Sequence, residues 1–105
     1  MSFRWPNKDQ NEVLDYSVDW SRWLNGAAIA SVAWYVDDSA GTKTALTAGN
    51  TVNGIQNVSQ SVSGSVATIN LGLGTNNTEY KFYCSMSDAT GSTAERVIRL
   101  RIKEQ

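Results

Sequence analysis

Apolar and polar residues alternate with period two along most of this chain. Leu14, Tyr16, Val18 and Trp20 share one parity, while Val13, Asp15, Ser17 and Asp19 share the other. Such alternation predicts a strand with one buried and one wet face. Ser21 to Gly26 reads as a turn that closes on Asn25-Gly26. The run from Ala28 to Val36 sets Ala28, Ala30, Val32, Trp34 and Val36 on one face, and Asp37-Asp38-Ser39-Ala40-Gly41 then breaks it. Lys43 to Thr47 predicts a short strand. Residues 51–64 are rich in Ser, Asn, Gln and Gly, with Val52, Ile55, Val58 and Val62 loosely spaced. They read as an edge strand or as a long loop.

The second half alternates more regularly. Ser65 to Leu71 puts Ala67, Ile69 and Leu71 on one side, and Gly72 to Asn77 forms a turn. Tyr80, Phe82, Cys84 and Met86 then alternate against Lys81, Tyr83, Ser85 and Ser87. After a turn over Asp88 to Ser92, Glu95 to Lys103 places Ile98, Leu100 and Ile102 inward and Arg99, Arg101 and Lys103 outward. Short strands separated by turns every eight to twelve residues predict an all-β chain. The expected fold is an immunoglobulin-like or fibronectin-like β-sandwich of about seven strands. Tyr80, delivered by the turn from Leu71 to Glu79, fits a tyrosine corner, and Trp34 stands where a core tryptophan belongs. No segment predicts a helix. Residues 1–12 are expected as an N-terminal arm before a single domain over 13–105.

Composition narrows this reading. With 105 residues there is room for one core. Nine basic and ten acidic side chains nearly balance, so no bulk polyelectrolyte partner is implied. Cys84 is the single cysteine, which excludes an intrachain disulfide and favours a reducing origin. Met1 to Pro6 lacks the apolar run of a signal peptide, so the chain is expected to be complete and made in a cytoplasm. No run of residues approaches the length of a membrane span.

Candidate chemistry is sparse. The absence of histidine removes the commonest general base and transition-metal ligand. Cys84 alternates with apolar neighbours and reads as an inward, inert thiol. Asp15 and Asp19 share a face but lie roughly 13–14 Å apart by strand rise, too far to share a proton or a metal. Asp37-Asp38 reads as a solvated turn rather than a calcium site. The sequons at Asn57 and Asn76 carry no weight without a secretory signal. The expectation is therefore a non-enzymatic protein without cofactor or metal. Arg99, Arg101 and Lys103 form an outward basic row. It faces an acidic partner or DNA, or else it flanks Asp15 and Asp19 on a neighbouring strand. Phe3 and Trp5 cover the open end of the sandwich or anchor a neighbouring subunit. Trp23 in its turn and outward Tyr83 are further candidate contacts.

The segments Trp5-Pro6-Asn7-Lys8-Asp9 and Val13-Leu14-Asp15-Tyr16-Ser17-Val18-Asp19-Trp20, with Ile29-Ala30-Ser31, Trp34 and the closing strand from Glu95 to Ile102, carry a family resemblance. The chain resembles small immunoglobulin-like proteins encoded among the virion structural genes of tailed bacteriophages. That resemblance implies a sandwich built into the virion and assembled in the bacterial cytoplasm. The first expectation is a capsid decoration or cement protein bound to the major capsid protein, where many symmetry-related copies add modest contacts. The alternatives are a head–tail connector or tail accessory ring, and an adhesion module that binds host glycans or proteins through loops.

Overall fold

The computed structural model describes residues 3–103 (for Phe3, the backbone only). The strands are β1 (Phe3–Arg4), β2 (Leu14–Asp19), β3 (Ile29–Asp37), β4 (Lys43–Ala45), β5 (Thr51–Val52), β6 (Ile55–Ser63), β7 (Val66–Leu73), β8 (Thr78–Asp88) and β9 (Thr93–Ile102). They form two sheets, one in the order β1-β9-β8-β3-β4 and the other β2-β7-β6-β5. All pairings are antiparallel except β1 with β9, which is parallel. This is the expected immunoglobulin-like sandwich. The count exceeds seven because β1 and β5 have two residues each. Ser21–Leu24 is a one-turn helix, α1, rather than a simple turn. It ends where Asn25 adopts a left-handed conformation (φ 49°) that its short polar side chain tolerates.

The alternation in sequence becomes the core. Tyr16, Val18 and Trp20 face Trp34 and Val36 from β3, Phe82, Cys84 and Met86 from β8, and Ile98, Leu100 and Ile102 from β9. Residues 51–64, read above as edge strand or loop, contain β5 and all of β6, and so form an edge of the second sheet. Between the sheets the chain crosses at Leu46, whose N–H donates to the Trp34 carbonyl while its own carbonyl accepts from the Asn57 amide at 3.0 Å. Tyr80 makes the expected corner. Its hydroxyl donates to the Asn53 carbonyl at 2.7 Å and accepts from the Thr75 N–H at 2.9 Å. Nearby, Gly74 has φ +106°, and a Cβ there would come within 2.9 Å of Ile102. Only glycine fits both demands.

Of the expected arm over residues 1–12, the described part, residues 3–12, is not separate. From Phe3 onward they belong to the domain. Trp5 is 8% exposed, stacks on Tyr16 at 4.7 Å between ring centroids and reaches Phe82 at 5.6 Å. Its backbone N–H donates to the Arg99 carbonyl of β9, and its indole N–H donates to the Ser17 carbonyl of β2. Lys8 is wholly buried, and its ammonium donates to the carbonyls of Asp9 and Leu73. Burial holds the Lys8 pKa below its ordinary value, against the opposing charges of Glu12 and Asp9.

Trp5→Ala is therefore expected to lower unfolding stability by about 3–5 kcal/mol, as for other buried aromatics. Deleting residues 1–8 is expected to prevent folding. Denaturant titration followed by tryptophan fluorescence checks both, and a stable truncated domain would show that the segment is only a cover.

Candidate functional site

The two outer faces of the sandwich carry different chemistry. On the five-stranded sheet, strand alternation sends Tyr35, Tyr83, Lys81, Arg99 and Glu79 outward, and the register aligns them. Tyr35 lies opposite Tyr83, Lys81 opposite Arg99, and Glu79 opposite Arg101. Lys43 on β4 places its ammonium 4.7 Å from the Tyr35 ring and 4.9 Å from the Tyr83 ring, and it pairs with Glu95. Lys81 approaches Tyr83 from the other side at 5.3 Å. The Tyr83 hydroxyl donates to Asp37 at 2.7 Å. Desolvation first, then the hydrogen bond and charge of Asp37, push the Tyr83 phenol up to about 12. Cations fixed over half-exposed tyrosines form a rigid, amphipathic patch of the kind that binds protein surfaces.

The four-stranded sheet is the opposite case. No Asp, Glu, Lys or Arg occurs between Lys43 and Glu79, so β5, β6 and β7 carry no charge at all. Its outer face presents Ser17 against Thr68 at 3.0 Å and the Asn70 amide donating to Asp15 at 2.6 Å. Ser59, Ser61 and Ser63 lie exposed beyond them. Val13 and Val58, both exposed, flank Gly72 on this side.

The structure sorts the residues singled out by sequence. Tyr83 faces outward as expected and sits at the centre of the patch. Trp5 lies in the core instead of offering an anchor, because its backbone completes the sheet edge beside β9. The Phe3 side chain lies outside the described residues. Trp23 is half-buried and meets Trp20 edge-on at 6.3 Å, so it closes an end of the core. Asp38 accepts hydrogen bonds from the N–H groups of Ala40 and Thr42, and so organises its own turn.

The basic row needs correction. Arg99, Arg101 and Lys103 do not flank Asp15 and Asp19, since β9 and β2 lie in different sheets. Glu79 is the acidic partner instead, paired with Arg4 and 3.9 Å from Arg99. Tyr35, Lys43, Lys81 and Glu95 were not among the expected contacts. The parity of Tyr35 against Trp34 was readable, but its register with Tyr83 was not. A shallow cleft of about 250 Å³ opens between β1 and β2, lined by Arg4, Trp5, Ser17, Val18, Asp19 and Ile98.

Among the described residues, no group of three or more acidic or cysteine side chains gathers to hold a metal. Cys84 is fully buried, and desolvation raises its thiol to about 12, outweighing the Trp20 indole and Arg96, which pull the other way. A family model described as podophage GP4 fiber-tail adaptor protein gp77 matches residues 8–101. No curated protein matches.

Three groups release their protons later in the folded chain than in the unfolded one: Cys84, Tyr16 and Tyr83, each raised to about 12. The folded state therefore holds protons that the unfolded chain gives up above its ordinary thiol and phenol values. Stability is expected to be unaffected by these groups below pH 9 and to fall progressively toward pH 12. Urea titrations across that range check the slope. In the same material Cys84 is expected to resist a maleimide at neutral pH until denaturant is added, and rapid native labelling would contradict its burial.

Proposed function

The chain belongs to the podophage GP4 fiber-tail adaptor family and is a structural protein of the phage virion, and from that premise we propose that it works as a tail-side adaptor. In this reading it joins two different virion subunits through its two unlike sheet faces. The observation that carries it is their asymmetry. One face is a fixed cluster of Tyr35, Tyr83, Lys43, Lys81 and Glu95. The other presents hydroxyl and amide groups along the uncharged strands β5, β6 and β7, with Asp15 and Asp19 of β2 at its margin. An adaptor has to distinguish two partners, and tyrosines with lysines on one side, against hydroxyls, amides and two marginal carboxylates on the other, discourage either partner from docking on the wrong face.

The adaptor reading takes the place of capsid decoration because the family description refers to the fiber and the tail rather than the shell. The adhesion reading asks for free aromatic and acidic residues on loops at one end. Trp23 packs on Trp20, and Asp37 and Asp38 are engaged by Tyr83 and by their own turn. No observation favours that reading.

Gold-labelled chain mixed with particles lacking their own copy is expected to bind at the tail in negative-stain images, whereas label spread over the shell would restore the decoration reading. Tyr83→Ala is expected to weaken that binding by about tenfold or more, as for a hot-spot aromatic. Ser85→Ala, on the same strand face, serves as the neutral control.

A further inference from the structure

The strands at the margins of the two sheets differ in how they are protected. β1 has two residues and carries Arg4, and β4 has three and carries Lys43. β2 carries Asp15 and Asp19, and the Trp5 indole occupies the Ser17 carbonyl. Short length, charge and covering groups are the means by which sheet edges avoid pairing with other chains. β6 has none of them along half its length. β5 pairs only with Ile55 and Gln56, and the N–H and carbonyl of Asn57 are taken by Asn50 and Gly49. From Val58 to Ser63, among the described residues, no strand lies on the side away from β7. All six residues are exposed and uncharged, and Val62 leaves 46% of its surface in solvent.

The direction in which this edge points follows from the hairpin. β6 and β7 join through Gly64 and Ser65, and Ser63 pairs with Val66. In a two-residue hairpin that closing pair is hydrogen-bonded, so by alternation Ser63, Ser61 and Ser59 turn their backbone groups toward β7. Gln60 and Val62 turn theirs toward the open side. Read in either direction, the stretch from Ser59 to Ser63 alternates serine with a larger residue.

We propose that two copies of the chain pair antiparallel through the open edge of β6, about a two-fold axis at Ser61. This register sets Gln60 opposite Val62 of the second copy, and Val62 opposite its Gln60. Both are outward-pointing pairs, so four backbone hydrogen bonds form. On the outer face Ser59 meets Ser63 of the second copy, and Ser61 meets its own equivalent across the axis. Hydroxyl pairs of this kind favour sheet pairing, and no charge opposes it. The irregularity between Asn57 and Ser59 stays outside the paired stretch. A second copy is the occupant because an edge that reads alike in both directions matches itself in an isologous contact. The pair joins the uncharged strands of two molecules and leaves the Tyr83 face of each one free, so it stands independently of which subunits the adaptor joins.

Light scattering behind size exclusion, at concentrations up to sub-millimolar, is expected to show dimers for the native chain and monomers for Ser61→Lys, which sets like charges face to face. Circular dichroism of Ser61→Lys should match the native chain, since Ser61 is exposed. Ser61 and its equivalent form a non-hydrogen-bonded pair with Cα atoms about 4.5 Å apart, within disulfide range. Ser61→Cys is therefore expected to cross-link under diamide, with buried Cys84 inert and Ser59→Cys much slower. A native chain that stays monomeric, or a Ser61→Cys chain that fails to cross-link, overturns the pair. So does a dimer that Ser61→Lys leaves intact. A monomer whose tail binding is lost in Ser61→Lys would also overturn it, and would assign the edge to a strand of another virion subunit.

Discussion

Trp5 is bonded to one sheet through its backbone and to the other through its ring. The N–H joins β9, the indole stacks on Tyr16, and the indole N–H reaches the Ser17 carbonyl of β2. Three residues on, Lys8 does the same in a polar manner, since its main chain bridges Arg101 and Lys103 while its ammonium holds the Leu73 carbonyl. A chain with one cysteine has no covalent staple. These two residues tie the two sheets together on the side where β1 and β2 run, beside the cleft that Trp5 and Val18 line. A buried ammonium would ordinarily be costly, and here two carbonyls and two nearby carboxylates offset only part of the desolvation.

This closure also explains which parts of the structure were legible in the sequence. Strand positions and inward faces follow from local alternation, and β2, β3, β8 and β9 could be read directly. The corner at Tyr80 was equally readable, because its turn lies next to it in the chain. The role of the N-terminal segment was not. Phe3 pairs with Ile98 in a parallel register, a contact that no nearby residue announces. A lysine reads as a solvated side chain until the carbonyl that receives it is known. The basic row shows the same limit. Outwardness of Arg99 was evident, but its acidic neighbour depended on which sheet held β2. The Tyr83 patch was half legible, since parity gave the direction of each ring and only the register brought Tyr35, Lys43 and Glu95 to it.

The margins of the sandwich are consequently unequal. One side is closed by the N-terminal segment. On the other, the chain crosses between sheets at Leu46, and among the described residues the far half of β6 has no strand on its side away from β7.

The uncharged stretch from Thr44 to Thr78 has one more consequence, which concerns ionic strength. Contacts made by Lys43, Lys81, Glu95 and the arginines weaken as salt screens them over a Debye length of about 8 Å at physiological ionic strength. Contacts made by β5, β6 and β7 contain no charge for salt to screen. In the proposed adaptor, a joint made through the Tyr83 face would loosen in a saltier medium, and one made through β5 to β7 would not.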